Sequence, residues 1–255
     1  MKAFANSIFF IKILFLKKTL TRSVRKTLEK TPLVCQLLSD LLFDIRFVEP
    51  KVFRFLSNII LKDWVCFDIG AHCGVVSKLL LRSVGDSGYV YSFEPIDSNR
   101  DILNSRVQKY STDKNFKAIP YAIGSKDEVV QMSRGDHSTT WHFDNENNGI
   151  KSLNIECRAL DSFAAILKKP DFIKVDIEGA EVDMIQGAKY FIENVRPIWL
   201  IELHGPESWS ICDRFLEKNY VIFDLDGLNI SYQHSTANSY GHAVFCPVEK
   251  LSLLK

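Results

Sequence analysis

Acidic side chains stand at the ends of three apolar runs of the sequence. Asp68, Glu94 and Asp176 each follow a short apolar stretch. If these stretches are neighbouring parallel strands, their carboxyl ends meet at one edge of a sheet, which is where ligands of such sheets bind. Carboxylates accept hydrogen bonds from hydroxyl groups and attract positive charge. The pattern therefore predicts a ligand that carries hydroxyl groups and a cation.

A glycine pair follows the first of these acids. Gly70 lets the chain turn sharply after the strand, and Gly74 allows the next helix to begin in close packing. Any tight strand-to-helix turn can use such glycines, so the pair alone is weak evidence. Glu94 lies twenty residues after Gly74, where an acid at the end of a second strand accepts hydrogen bonds from a ribose diol. Together these features predict a nucleoside-containing cofactor.

The charge of Asp68 separates two cofactor classes. A nicotinamide dinucleotide carries a pyrophosphate, which a carboxylate would repel, and its fingerprint is G-x-G-x-x-G. Here three residues separate Gly70 from Gly74. S-adenosylmethionine carries an ammonium group and a cationic sulfur, which an acid attracts. The sequence favours S-adenosylmethionine, and a nicotinamide-dependent oxidoreductase is the alternative.

A second group of polar residues predicts the reaction centre. Asp176 and Glu178 follow one strand, and Glu202 and His204 end the next, on the same face because side chains alternate along a strand. An alcohol that accepts a methyl group must lose its proton to a base. We predict that His204 is this base and that Asp176 or Glu178 orients it or the acceptor. A structural histidine at a strand end is the alternative.

Two further interpretations concern the same residues. Asp176, Glu202 and His204 could instead hold Mg²⁺ or Mn²⁺, since such ions prefer oxygen ligands. Glu181 lies near the predicted start of a helix, where the helix dipole favours negative charge, and we predict that it caps that helix. The polar and aromatic stretch 133–149 is predicted to bind the acceptor, although a plain exposed connection fits it nearly as well.

The elements that must position these residues alternate along the chain. Two short alternating runs, 129–132 and 153–159, read as added strands, and Asp97 and Asp161 as helix N-caps. The main strands are predicted at 64–68, 89–93, 116–122, 172–176, 198–203, 221–225 and 243–246, and the helices at 74–83, 97–107, 180–193 and 208–218. This alternation predicts an α/β fold with a doubly wound, largely parallel sheet.

Composition excludes several classes of function. The 255 residues carry a net charge of +1, so nothing points to nucleic acid as a partner. The six cysteines form no C-x-x-C pair, which argues against a zinc site or a disulfide framework and indicates a reducing, cytoplasmic compartment.

The N-terminal segment is much more basic than the chain as a whole. Residues 1–30 contain eight Lys or Arg and one acid, Glu29, a balance of about +7. Its apolar stretch, 3–16, is too short to span a membrane comfortably and lacks a signal-peptide cleavage site. Residues 1–30 could make peripheral contact with anionic lipid. Packing of the same segment on its own domain or on a partner fits equally well.

Six motifs occur in a fixed order between about Val65 and His204. They are Asp68-Ile-Gly-Ala-x-x-Gly74, Glu94-Pro95, Ala122-Ile-Gly124, Leu160-Asp161, Ile173-Lys-Val-Asp-Ile-Glu-Gly-Ala-Glu181 and Glu202-Leu-His204. This series resembles the FkbM family of class I S-adenosylmethionine-dependent methyltransferases. His72 departs from the pattern, because the family more often has Asn there. The stretch from Asp176 to Glu181 is the most specific of the motifs.

The resemblance implies a Rossmann-like, mostly parallel seven-stranded sheet with an antiparallel last strand. It implies S-adenosylmethionine as cofactor and O-methylation of a glycan, glycolipid or other small metabolite. We expect a helical extension over 1–60 and the methyltransferase domain over 61–255. The expected cofactor-binding residues are Asp68, Gly70, Ala71, Gly74, Glu94, Pro95, Ala122 and Ile123. A non-catalytic, membrane-associated protein with the same fold is a further alternative.

Overall fold

The computed structural model describes most of the chain beyond residue 48. The described ranges are 49–112, 114–134, 141–143, 152–226 and 241–254. The chain divides into two units, 1–54 and 55–255. The sequence predicted the boundary six residues later, after residue 60. The predicted membrane-contacting segment, 1–30, lies outside the described residues. In the described ranges, no helix combines the length and apolar character needed to cross a bilayer.

Five α-helices and eleven strands make up the described ranges. The helices are α1 (Pro50–Ile59), α2 (Val75–Val84), α3 (Asp97–Val107), α4 (Glu181–Gln186) and α5 (Ile211–Leu216). The strands are β1 (Val65–Ile69), β2 (Tyr89–Phe93), β3 (Phe116–Ile119), β4 (Ala122–Gly124), β5 (Glu128–Arg134), β6 (Trp141–Phe143), β7 (Ser152–Ala159), β8 (Phe172–Val175), β9 (Ile198–Leu203), β10 (Tyr220–Phe223) and β11 (Gly241–Pro247).

Seven strands form the main sheet in the order β10-β11-β9-β8-β1-β2-β3. Pairing is parallel from β3 through β9, whereas β11 runs antiparallel to both β9 and β10. The predicted α/β fold, with a mostly parallel seven-stranded sheet and an antiparallel last strand, is confirmed. The central strands are apolar because layers of structure cover both faces of such a sheet, and Phe67, Phe172 and Trp199 are fully buried.

Proline ends the third strand earlier than the sequence predicted. The single strand expected over 116–122 is wrong, because β3 stops at Ile119 and Pro120 interrupts it. Proline has no N–H to donate to the ladder. The chain then enters a second sheet of four strands, in the order β4-β7-β5-β6. Two of these strands contain the short alternating runs predicted at 129–132 and 153–159.

The helix predicted over 180–193 is also shorter than expected. The α4 helix ends at Gln186, and a separate π-helical turn spans Phe191–Val195. Between them, a Cβ on Gly187 would lie 2.2 Å from the carbonyl oxygen of Gly124, so this position admits no side chain. The 208–218 helix is likewise divided into a 3₁₀ turn, 206–210, and α5.

Neither predicted N-cap holds. The N-cap of α3 is Ile96, and Asp97 lies in the first turn, where it pairs with Arg100. Asp161 lies inside a 3₁₀ turn, and its carboxylate accepts the N–H of Tyr190. Both acids therefore bind other partners than the backbone of their own first turn.

Candidate active site

A cavity opens where the strand order of the main sheet reverses. The chain leaves β1 towards β2 on one side, whereas β8 lies on the other, and ligands of doubly wound sheets bind in this crevice. Five predicted cofactor residues line the cavity, namely Gly70, Glu94, Pro95, Ala122 and Ile123. Asp176 and Glu178 line its other end, and Met132 of the second sheet completes part of the wall.

The glycine loop is fixed to both neighbouring strands. Gly70 has a φ of 77°, and a Cβ on it would lie 1.8 Å from the carbonyl oxygen of Asp176. The N–H groups of Gly70 and Ala71 both donate to the carbonyl oxygen of Phe93. Gly74, with a φ of 78°, contacts Leu103 so closely that a Cβ would lie 2.7 Å from its Cδ1 atom. Ala71 and Gly74 thus shape the loop beneath the cavity.

Glu94 joins the glycine loop to the end of β2. Its side chain accepts the N–H of His72 at 2.8 Å, the N–H of Ile96 at 3.0 Å and the amide of Asn99 at 3.2 Å. A carboxylate offers about four lone-pair sites. Three hydrogen bonds fix its orientation and leave room for one more donor, such as a ribose hydroxyl group.

Asp68 lies beneath the loop and not on the cavity wall. It is fully buried, accepts a hydrogen bond from Ser77 Oγ at 2.5 Å, and lies 3.9 Å from Lys174 Nζ. Burial raises the pKa of Asp68, against the lowering effect of Lys174 and Ser77. The buried carboxylate contacts Ser77 and Lys174, and its predicted contact with a cofactor ammonium group stays a prediction.

The predicted reaction-centre residues come together at the other end of the cavity. His204 Nε2 lies 3.9 Å from Asp176 Oδ1, 3.7 Å from Glu178 Oε2 and 3.8 Å from Glu202 Oε1. These separations exceed hydrogen-bond length. His204 lies beside two residues of the cavity wall without lining the wall itself. Imidazole and carboxylates thus face a common space at the ends of β8 and β9.

Glu181 holds this imidazole from behind. Its Oε1 atom lies 2.8 Å from His204 Nδ1 and also accepts the N–H of Gly179, while its Oε2 atom accepts the Ser208 hydroxyl at 2.8 Å. The expectation that Glu181 serves only as a helix cap is wrong, since α4 has no side-chain cap and the carboxylate is fully buried against His204. The sequence prediction missed both Glu181 and Ser208 as site residues.

The carboxylates control the protonation of the site. Burial alone would lower the pKa of His204, but Glu181, Glu202 and Asp176 raise it to about 9. Burial alone would raise the pKa of Asp176, but Lys174, followed by His204, holds that pKa below its usual value. The free site therefore contains an ionised Asp176 and, at neutral pH, an imidazolium.

The structure also brings together the three residues of the metal alternative. One ligand atom each from Asp176, Glu202 and His204 lies within 4.8 Å of the other two, and all three residues are partly exposed. Metal dependence stays a prediction. Of the predicted acceptor-binding stretch, 135–140 and 144–149 lie outside the described residues.

The sequence matches a family model, the Methyltransferase FkbM domain, over residues 68–224. No curated protein matches the chain. A solved structure of Methyltransferase FkbM from Methylobacillus flagellatus is similar, with 19% identity and a TM-score of 0.50. It aligns with 94% of this chain, which in turn spans 58% of that chain.

Two other solved structures are more distant. A putative rRNA-methylase from Clostridium thermocellum has 10% identity and a TM-score of 0.49, over 78% of this chain and 94% of its own. A fibrillarin from Aeropyrum pernix, with S-adenosylmethionine natively bound, has 10% identity and a TM-score of 0.44, over 73% and 67%. The family match covers more than half of the chain and favours a methyltransferase over the nicotinamide-dependent alternative. The chain belongs to the methyltransferase FkbM family, and its cofactor is S-adenosylmethionine.

Proposed function

We propose that the protein transfers the methyl group of S-adenosylmethionine to a hydroxyl oxygen of a glycan, a glycolipid or another hydroxylated small metabolite. The observation that carries this proposal is the contact of the buried Glu181 with the partly buried His204 beside the acidic end of the cavity, with 2.8 Å between Glu181 Oε1 and His204 Nδ1. A histidine fixed at one ring nitrogen by a carboxylate is the arrangement that general-base catalysis on an alcohol uses.

The side chains around the cavity fit the cofactor. Glu94 at one end suits the ribose diol, and Asp176 and Glu178 at the other suit a cation. Apolar side chains, including Phe93 and Ile123, line the wall between these ends and suit a flat base. S-adenosylmethionine supplies an electrophilic methyl group on a cationic sulfur. Negative charge near that sulfur stabilises the bound cation.

His204 takes the proton of the acceptor in this proposal. The acceptor oxygen forms a bond to the methyl carbon as the carbon–sulfur bond breaks, and the hydroxyl proton passes to His204 Nε2. Glu181 stabilises the resulting imidazolium, while Asp176 and Glu178 orient the acceptor hydroxyl. The products are the methyl ether and neutral S-adenosylhomocysteine. Alignment of oxygen, carbon and sulfur supplies much of the acceleration, because sulfonium is already a good leaving group.

The protonation state of His204 matters for this role. With a pKa of about 9, His204 is mostly protonated at neutral pH in the free protein. A sulfonium cation bound nearby is a like charge, which favours the neutral imidazole. Binding of the cofactor therefore increases the fraction of His204 that can accept a proton.

The assay for this proposal uses the full chain and S-adenosylmethionine labelled in its methyl group. Hydroxylated acceptors, among them oligosaccharides and glycolipids, are compared with matched amines and with a structured RNA. We expect label in a methyl ether, identified by mass spectrometry and resistant to dilute acid. Label only on nitrogen or RNA would overturn O-methylation, and no transfer to any acceptor would favour the non-catalytic alternative.

A further inference from the structure

Lys174 is a buried cation outside the proposed reaction itself. It lies within β8, beside Asp68 on β1 and Leu200 on β9, and is 5% exposed. Removing an ammonium group from water is costly unless nearby carboxylates compensate for it. Lys174 is not among the described residues that line the cavity. Its position therefore calls for a role that acts through other side chains.

Two acids, Asp68 and Asp176, share this ammonium group. Lys174 Nζ lies 3.0 Å from Asp176 Oδ2 and 3.9 Å from Asp68 Oδ1. Lys174 and Asp176 are two residues apart and so lie on one face of the chain. Lys174 is also the register partner of Asp68 across the β1–β8 pair. The sheet geometry thus places one cation between the cofactor loop and the reaction centre.

The Asp68 side of this cluster connects to α2 and β2 through two serines. Ser92 Oγ donates to Ser77 Oγ at 2.8 Å, and Ser77 donates to Asp68 Oδ2. Asp68 Oδ1 accepts no hydrogen bond from any residue that the structure describes. The Lys174 ammonium group at 3.9 Å therefore provides compensation for that buried oxygen.

The Asp176 side reaches the imidazole. Lys174 holds Asp176 Oδ2, and the other carboxylate oxygen, Oδ1, lies 3.9 Å from His204 Nε2. Rotation of the Asp176 carboxyl group would break its hydrogen bond to Lys174. The lysine thus holds the Asp176 carboxylate in an orientation that directs one of its oxygens towards His204.

We propose that Lys174 is a positioning residue, a buried cation that orients the Asp176 carboxylate at the reaction centre and compensates Asp68 beneath the cofactor loop. The inference rests on the proposed function, in which Asp176 belongs to the reaction centre. The role through Asp176 should affect kcat only while the Asp176 carboxylate is present, whereas compensation of Asp68 should affect stability in either background.

The test is a double-mutant cycle with Lys174→Met and Asp176→Asn in the full chain. We expect Lys174→Met to lower kcat about 10- to 100-fold, in line with the cost of misplaced reacting groups, and to lower it little further in the Asp176→Asn background. Lys174→Arg should restore part of the loss because it keeps the charge. Lys117→Met, the same change at an exposed position of β3, is the matched control and should leave kcat unchanged. Losses that multiply in the double variant would overturn the proposal.

A second measurement needs no acceptor and separates this inference from the proposed function. Calorimetry gives the affinity ratio of S-adenosylmethionine to S-adenosylhomocysteine, which differ by the methyl group and the charge on sulfur. We expect Lys174→Met to change this ratio in the wild-type background and not in Asp176→Asn. An equal change in both backgrounds would contradict positioning through Asp176. If wild type methylates no hydroxyl group, the proposed function fails and this cycle still decides the role of Lys174.

If Lys174→Met does not fold, as judged by circular dichroism, Lys174→Arg carries the same cycle. Its planar guanidinium group cannot reproduce the lysine geometry. We expect it to lower kcat several-fold in the wild-type background and to have no effect with Asp176→Asn. Equal effects in both backgrounds would again overturn the proposal.

Discussion

The two ends of the cavity are built in different ways. At the glycine-loop end, backbone groups of the loop are held by short hydrogen bonds, such as His72 N–H to Glu94 at 2.8 Å. At the carboxylate–histidine end, His204 Nε2 is 3.7 to 3.9 Å from the facing acids. There the short contacts lie behind the site, where Glu181 and Lys174 hold His204 and Asp176.

This difference separates an end suited to binding the cofactor from an end suited to the proposed methyl transfer. The three hydrogen bonds of Glu94 hold its carboxylate in one orientation, which suits a constant ligand, the cofactor. The gaps of 3.7 to 3.9 Å between His204 Nε2 and the facing acids leave space that, in the proposed function, an acceptor oxygen enters and a proton crosses. The comparison predicts that substitutions at the first end change affinity for the cofactor and that substitutions at the second change turnover.

The largest effect is expected from His204→Ala. Loss of a general base typically costs about 100- to 10,000-fold in rate, so kcat should fall by this amount while calorimetry shows that S-adenosylmethionine still binds. His242→Ala is a matched histidine control, since His242 lies 3.5 Å from Glu202 and is not in the proposed proton path. Turnover that survives His204→Ala would remove His204 as the base.

A smaller effect, of the opposite kind, is expected from Glu94→Ala. This change leaves the N–H groups of His72 and Ile96 without their acceptor. Each unsatisfied donor costs about 1–3 kcal/mol of folding free energy, and the cofactor loses the carboxylate that is proposed to bind its ribose. Cofactor affinity measured by calorimetry should fall about 10- to 100-fold, with kcat at saturating cofactor largely kept. A loss of kcat with unchanged affinity would break the proposed division between the two ends.

The smallest effect is a shift in pH dependence caused by Glu181→Gln. In the wild type, kcat/KM for S-adenosylmethionine reports the free protein. It should rise with pH as His204 loses its proton, up to a pKa of about 9. The amide keeps the shape of Glu181 and removes its charge, so the pKa of His204 should fall and the rising limb should move to lower pH. Kinetics across this range, with an NMR titration of the imidazole, measure both shifts, and superimposable profiles would contradict them.

The position of Gly70 and Glu94 at the cavity could be predicted because the signals for it are local. Gly70, Gly74 and Glu94 stand at fixed distances along the chain, and a strand-to-helix turn leaves little freedom in their placement. The sequence also predicted that Asp176, Glu178, Glu202 and His204 share one edge, because alternation and parallel pairing determine where strand ends lie. The structure brings these four residues together.

The support behind the reaction centre could not be predicted in the same way. Glu181 follows a glycine turn at a helix start, where an acid most often caps, and its contact with His204 depends on how α4 packs beside β9. Lys174 was not predicted as part of the site, although its position in a buried strand indicates a partner of opposite charge. A lysine between Ile173 and Val175 in a buried strand must meet a carboxylate, and that requirement points to Asp68 and Asp176.

The break at Pro120 has a consequence for which substitutions change the cavity. Ile123 and Met132 reach the cavity from the four-stranded sheet, whose strands in the described residues pair with one another and not with the main sheet. Altered side chains on β4 and β5 therefore change one wall of the cavity while the register of β1 and β8 is preserved. A substitution at Met132 would in this way alter one wall of the cavity and leave the glycine loop and the ends of β1 and β8 unchanged.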